Sequence, residues 1–357
     1  MNYYTKEALI SSVKDHLHLC ELSLDDNSSV LISDYGGRVL GLFPRNDFYN
    51  LLWINPNITE NIKSRSWDIG GDRYWLGPEK SFFYEKPESW EGWHCQAGLD
   101  PANYEILAEN EKSCTISSPI AIKNYVSNVI FRGEITRQFK LIKEPIKTGI
   151  ADYCGIEYID DCVIFNPKIE ANGWSLTCVI SGGLENPGTV IIPTKPDSKP
   201  LSYFKIIPND RITRAQDHVS FKIDVDDIYK LAIRPEDIDF SRKSKIGYLI
   251  KIPNSEEFGF IVKMSDDVPK TQEECFDISR DHPNSEIGVI QSYNSESPNK
   301  PALQFGEIEL QLNPLKTIDN ASHGKATHQL CSYIGTKDEI LAVIEKYLGV
   351  SEPFIYS

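Results

Sequence analysis

Apolar residues recur with a helical period in only two stretches of this chain, one near each end. Over residues 5–17, Leu9, Ile10, Val13 and Leu17 fall on one stripe behind Thr5, a side chain suited to cap a helix N-terminus. Over residues 336–349, Thr336 and Glu339 have capping-box spacing. Ile340, Val343, Ile344, Tyr347 and Leu348 form the apolar stripe, and Gly349 is placed to end the helix with positive φ. Between them the pattern shortens to runs of three to seven residues, rich in β-branched and aromatic side chains and bounded by Gly, Pro, Asn and Asp. Examples are 29–32, 39–43, 114–116, 135–141, 176–180, 190–192, 246–250, 258–262 and 306–310. Helical periods do not alternate with these runs, which disfavours a parallel βαβ sheet and predicts a large antiparallel sandwich. Residues 194–200 and 294–301 read as turn-rich loops too short to separate domains. The division expected is a helix and lead-in over 1–27, packed on a single β domain over 28–357 that ends in the second helix.

Composition narrows the function. The 357 residues carry 52 acidic and 37 basic side chains, a formal charge of −15, and 40% are hydrophobic. That hydrophobic share supports a folded core, and the charge repels phosphate, so no nucleic-acid partner is expected. No run approaches the ~20 apolar residues of a membrane span, and Met1–Ala8 lacks a basic segment leading into an apolar one. The eight cysteines are scattered without Cys-x-x-Cys or zinc-type spacing. They read as reduced thiols of a cytoplasmic protein. Serine-hydrolase, nucleotide-loop, dinucleotide and His-Glu-x-x-His motifs are absent. No cofactor and no metal ion is expected. The pattern does not speak to oligomeric state.

The chemistry concentrates in one segment. Five of the six tryptophans, Trp53, Trp67, Trp75, Trp90 and Trp93, lie within 53–93. Tyr74, Phe82, Phe83, Tyr84 and Tyr104 surround them, and Asp68, Asp72, Arg73, Glu79, Glu85, Glu91 and His94 are interleaved. Sugars present C–H faces and hydroxyl edges together, so a site for them needs flat apolar platforms beside carboxylates and guanidinium groups. Later in the chain Glu307 and Glu309 stand two apart on a strand and share a face. Two such carboxylates tend to raise one pKa, as a general base requires. His94 sits in Trp90–Cys95, and the unperturbed imidazole pKa of about 6.5 makes histidine a candidate proton donor or acceptor at neutral pH.

Several of these segments, taken in order, resemble the galactose-mutarotase-like superfamily. Gly36-Gly37-Arg38-Val39-Leu40-Gly41-Leu42 resembles its early strand. Trp67-Asp68-Ile69-Gly70-Gly71-Asp72-Arg73-Tyr74-Trp75-Leu76-Gly77-Pro78-Glu79 resembles a Gly-Gly-Asp-Arg motif of uncharacterised bacterial members. Gly133–Leu141, Trp174–Leu176 with Gly182-Gly183, Val190–Pro193, Tyr293-Asn294 and Phe305–Leu310 are similar to its later strands. The resemblance spans roughly 28–335. It implies a mainly β fold, a large antiparallel β-supersandwich with short peripheral helices, and a sugar site on its concave face. At the place of the family's central-strand histidine this chain has Asn172-Gly173-Trp174-Ser175-Leu176, with no histidine.

The resulting expectation is a protein whose partner is a small-molecule carbohydrate, a sugar or sugar acid, with epimerase-type acid/base chemistry as its candidate activity. A non-catalytic carbohydrate-binding or sensing protein is the alternative, and a polysaccharide lyase or glycoside hydrolase a second. Glu309 is the expected base, with Glu307 beside it, and His94 the acid in place of the missing histidine. Trp75 is expected to stack on the sugar ring. Arg73, Asp72, Glu79, Trp93 and Arg38 are the further expected binding residues. Trp75, Arg73, His94 and Glu309 are expected to face one cavity.

Overall fold

The computed structural model describes residues 3–23, 27–278, 280, 286–295 and 304–357. Most of the loop expected over 294–301 lies outside the described residues. Among these described residues the chain is mainly β and built on two antiparallel sheets. The first has nine strands in the order Leu19–Leu22, Ser29–Ser33, Arg38–Phe43, Asp72–Gly77, Asn172–Val179, Gly306–Pro314, Ile290–Asn294, Tyr229–Ile233 and Leu201–Ser202. The second has eleven. Its long central strands are Phe258–Ser265, Ala321–Gly335, Asp152–Ile164 and Val129–Leu141. This is the large antiparallel sandwich expected from the strand pattern. The lead-in before residue 28 supplies Leu19–Leu22, the edge strand of the first sheet, paired with Ser29–Ser33.

Both terminal helices lie outside the sandwich. Thr5 Oγ1 accepts from the Ala8 amide at 3.3 Å, but the first helix runs only over Lys6–Val13. It stops short of Leu17 because Lys14, Asp15 and His16 are exposed and give a further turn nothing to bury. Leu9 and Val13 pack with Ile58 and Ile62 of a short helix and with Leu31, Leu40 and Phe43 of the first sheet. At the other end Lys337–Leu348 carries a complete capping box and ends at Gly349 with φ 71°. Its apolar stripe covers Phe260, Val262, Cys331 and Tyr333 of the second sheet. Among the described residues no helix is long and apolar enough to cross a membrane. All eight cysteines are free thiols.

The interior between the sheets is not wholly apolar. Along Asp72–Gly77, alternate side chains point to opposite faces. Asp72 and Tyr74 point inward, toward the second sheet. Asp72 is fully buried. Its Oδ1 lies 2.9 Å from Arg137 and its Oδ2 lies 2.7 Å from Lys263 Nζ. The same Oδ2 accepts from Thr177 at 2.7 Å and from Tyr158 at 3.2 Å. Arg137 continues to Asp160 at 2.7 Å and to the Gly37 carbonyl at 2.6 Å. His328 Nε2 stands 3.2 Å from Asp160. Burial pushes the Asp72 carboxyl up, but Lys263 and Arg137 outweigh it and hold it below the ordinary carboxylate range. Burial pulls the Lys263 ammonium below its ordinary value, with Asp72 opposing. Asp72, expected to bind ligand, is therefore a tie between the sheets.

Arg38 also differs from expectation. It is fully buried and donates to the Gly70 carbonyl at 2.6 Å, to the Trp67 carbonyl and to the Asp100 carboxylate. It anchors the turn that leads into Asp72–Gly77. That turn needs Gly70 and Gly71, at φ 85° and 78°. A Cβ at Gly70 would come within 2.1 Å of the Trp53 carbonyl oxygen, and one at Gly71 within 2.4 Å of that of Val39.

Removing one partner of a buried ion pair leaves the other charge uncompensated, at a cost of about 3–5 kcal/mol. Lys263→Met is expected to lower the unfolding free energy by about that amount in urea titration, and an unchanged midpoint would contradict the structural role given to the pair. The acid limb follows from the direction of the Asp72 shift. Its contribution is complete above the unfolded carboxylate value of about 3.9 and is lost as pH falls below it toward the lower folded value. Asp72→Asn should flatten that part of the stability profile.

Candidate functional site

The outward face of the first sheet, turned away from the second, carries a different set of side chains. The same alternation that sends Asp72 inward sends Arg73 and Trp75 outward. On the neighbouring strands the register brings Trp174 opposite Trp75, Leu176 opposite Arg73 and Glu309, and Cys178 opposite Glu307. Glu309 pairs with Gln291 and Glu307 with Tyr293, which in turn pairs with Lys230. Five consecutive strands thus form a floor. A hairpin of Tyr84–Lys86 and Glu91–Trp93 stands over it as one wall, with Tyr84 opposite Trp93. The cleft between them has a volume of about 460 Å³. Arg73, Lys230, Leu176 and Glu307 line its base. Trp67, Trp93, Phe204 and Tyr293 are among its walls, and Glu79 and Arg280 also line it.

The floor is a set of buried, matched charges. Arg73 lies 2.6 Å from Glu307 Oε1, and its guanidinium carbon is 4.1 Å from the centre of the Trp75 ring. Arg73 also donates to Cys178 Sγ at 3.0 Å. Lys230 Nζ lies 3.2 Å from Glu309 Oε2 and 4.5 Å from the Trp174 ring centre. Trp174 Nε1 donates to the same Glu309 oxygen at 2.9 Å. Burial pushes the Glu309 carboxyl up, Lys230 pulls it back, and the neighbouring Glu307 pushes it up again, leaving it raised to about 7. Burial pulls the Lys230 ammonium down, but Glu309 and Asp277 hold it above its ordinary value. Arg73 Nε, Glu309 Oε1 and Gln291 Oε1 are buried without a hydrogen-bond partner, on side chains that the register places on this face.

The expected residues distribute as follows. Arg73, Trp75, Glu79, Trp93 and Glu307 line the cleft. Glu309 lies beside them beneath Trp174 and Lys230, with no exposure of its own. Trp75 is 2% exposed. Its Nε1 is bonded to Asp100 at 2.8 Å and one side of its ring is covered by Arg73, so it supports the floor and offers no free face for stacking. Trp93, 38% exposed, has the accessible ring, held by a 2.7 Å bond from its Nε1 to Glu79 Oε1. His94 does not enter the cleft. Its neighbour Trp93 takes the inward side of the strand, so His94 turns outward. There its Nε2 is 3.1 Å from the Tyr125 hydroxyl and its Nδ1 is 3.2 Å from the Gly92 carbonyl. Asp72 and Arg38 are the buried ties already described.

Lys230, Phe204 and Arg280 were not singled out from the sequence. Lys230 did leave a signal. It is the one charge in Tyr229-Lys230-Leu231-Ala232-Ile233, where alternation places it on the face opposite three large apolar residues. Phe204 and Arg280 stand in irregular segments whose pattern predicts no direction.

Residues 3–164 match a family of unknown function (DUF6786). No curated protein matches the chain. Among solved structures, the chain is similar to a GalM/aldose epimerase homologue from C. elegans, at 9% identity and a TM-score of 0.44, over 90% of this chain and 99% of that one. It is similar to galactose 1-epimerase from Lactobacillus acidophilus NCFM, at 8% identity and a TM-score of 0.42, over 89% and 94%. It is also similar to 4-alpha-glucanotransferase from Thermococcus litoralis, at 10% identity and a TM-score of 0.35, over 88% of this chain and 39% of that one. The two sheets form a large antiparallel sandwich.

Ionisation of Glu309 changes the charge accepting the Trp174 indole N–H. Tryptophan fluorescence is therefore expected to titrate with a midpoint near the value of about 7 that burial gives this carboxyl. The transition should vanish in Glu309→Gln. Its persistence in that variant would assign it to another group.

Proposed function

We propose that the chain binds a carbohydrate, a sugar or sugar acid, in the cleft on the outward face of the first sheet. The observation that carries this reading is the pairing of flat aromatic walls, Trp93, Trp67 and Tyr293, with a floor of buried ion pairs, Arg73–Glu307 and Lys230–Glu309. Aromatic rings match the C–H faces of a pyranose, and the floor supplies charged donors and acceptors for hydroxyls or a carboxylate. The buried, unpartnered oxygens and nitrogen at the floor favour a ligand rich in small hydroxyl groups, because each such atom costs about 1–3 kcal/mol until it is bonded. A volume of about 460 Å³ falls within the usual range for small-ligand sites.

Binding without turnover is the reading favoured by the charge pairing. Glu307 and Glu309 are both held by cations, and His94 faces away. Acid/base chemistry is the second reading, and one observation favours it. Glu309 is raised to about 7, so it exchanges a proton at neutral pH, and Lys230 stands beside it.

Thermal-shift measurements against monosaccharides, uronic acids and sugar phosphates test the proposal, since a ligand selective for the folded chain raises its midpoint by mass action. Trp93→Ala is expected to weaken the binding so found by about 1–3 kcal/mol, the loss of one large stacked ring. A sugar that stabilises the variant and the parent chain equally would place the ligand elsewhere. With that ligand as substrate, Glu309→Gln separates the two readings. Loss of turnover with retained binding supports acid/base chemistry, and no turnover in the parent chain supports binding alone.

A further inference from the structure

At the outer edge of the first sheet, away from the strands that floor the cleft, four side chains from three separate segments converge. Cys20 lies in the edge strand and His18 immediately precedes that strand, and both side chains reach Glu109. Glu109 and Cys114 are directly opposite each other in the hairpin of Glu105–Asn110 and Ser113–Asn124, at the edge of the second sheet. His18 Nε2 lies 3.0 Å from Glu109 Oε2. Cys20 Sγ lies 2.8 Å from the same oxygen and 2.9 Å from Cys114 Sγ. The backbone holds these segments in place. The His18 amide donates to Asp34 Oδ1 at 3.0 Å, and the Ser23 amide donates to the Glu111 carbonyl at 2.9 Å.

We propose that His18, Cys20, Glu109 and Cys114 bind one zinc(II) ion that fastens the edge of one sheet to the edge of the other. The donor set is two sulfurs, one imidazole nitrogen and one carboxylate oxygen. Sulfur and imidazole together suit zinc and exclude calcium and magnesium, which take oxygen. Donors around a tetrahedral zinc stand roughly 3.3–3.8 Å apart; those of His18, Cys20 and Glu109 all lie within 4.8 Å of one another, and Cys114 Sγ joins them at Cys20 Sγ. Cys20 and Cys114 are buried while the His18 and Glu109 side chains are about half exposed, at 53% and 44%, which leaves a route from solvent. The Cys20 thiol donates to Glu109 and the Cys114 thiol to Cys20. Binding replaces these two S–H bonds with two Zn–S bonds and releases two protons to solvent, with no change of oxidation state. Spacing along the sequence hides the site, because its ligands are 91 residues apart across the His18–Glu109 contact.

The test uses the full chain, reduced and stripped of metal, with cobalt(II) and then zinc(II) as probes. One cobalt per chain is expected, giving tetrahedral visible bands and a thiolate-to-cobalt charge-transfer band that stoichiometric zinc abolishes. Cys20→Ser should remove the charge-transfer band or sharply reduce it. His18→Ala and Glu109→Gln alter exposed side chains and leave the fold intact. Each should weaken zinc binding by roughly tenfold or more and reduce the rise in thermal midpoint that zinc gives the parent chain. No cobalt spectrum from the reduced chain would overturn the proposal, as would full zinc affinity in His18→Ala. A Cys20–Cys114 disulfide in the isolated protein, with no metal bound after its reduction, would overturn it in favour of a thiol pair.

Discussion

One buried carboxylate sets the relation between the two sheets. Asp72 lies between them with no exposure and receives Lys263 and Arg137 from the second sheet and Thr177 from the first. A charge in that position is tolerable only when it is closely paired, and the pairing fixes where Lys263 and Arg137 stand. Arg137 is held to Asp160, and Asp160 faces His328, so the constraint runs across three adjacent strands of the second sheet. Apolar packing alone would let two such broad surfaces slide. Directional charge-assisted bonds permit one alignment.

That alignment is what places the cleft. Arg73 follows Asp72 directly, so fixing Asp72 against the second sheet fixes the outward direction of Arg73 and, two residues on, of Trp75. Arg73 then fixes Glu307 two strands away, and its guanidinium lies against the Trp75 ring. Lys230 plays the same part toward Glu309 from the far side, over Trp174. The floor is therefore rigid before any ligand arrives. Side chains already held in place lose little freedom on binding, which favours recognition by shape and hydrogen-bond pattern.

The strand segments were legible because the burial of an antiparallel sheet writes itself into the sequence with period two. The runs at 39–43, 190–192 and 306–310 all fall within observed strands. The first helix ended early because its stripe was continued by Leu17, a half-buried residue beyond a solvated turn. The candidate site was legible by segment and less so by residue. Composition brought out 53–93, and its later part, from Trp67 to Trp93, supplies aromatic residues of the cleft while Trp53 does not line it. It could not separate Asp72 from Arg73, or His94 from Trp93, because neighbours in a strand face opposite ways and the absolute direction depends on which sheet lies on which side. A one-residue change of register would have exchanged their places. Trp75 misled for a different reason. Tryptophan is at once the best stacking surface and a large core side chain, and here Arg73, Phe83 and Trp174 surround its ring.

The two charge systems illustrate how environment assigns different work to similar residues. Asp72 and Glu309 are both fully buried, and each lies beside a lysine. Asp72 also has Arg137, Thr177 and Tyr158, enough donors to overcome burial, so it stays ionised and serves as a fixed tie. Glu309 has Lys230 and the Trp174 indole, fewer donors, with Glu307 as a like-charged neighbour, and its carboxyl rises to about 7. The difference is one of donor count. Adding a donor beside Glu309 would make it a second tie, and removing one from Asp72 would push it toward the neutral form. The strand alternation that gives one residue the interior and the next the cleft lets a single stretch, 72–75, serve both ends. Its inward residues meet the demand for full pairing, while its outward ones reach a floor where buried polar atoms remain unpaired.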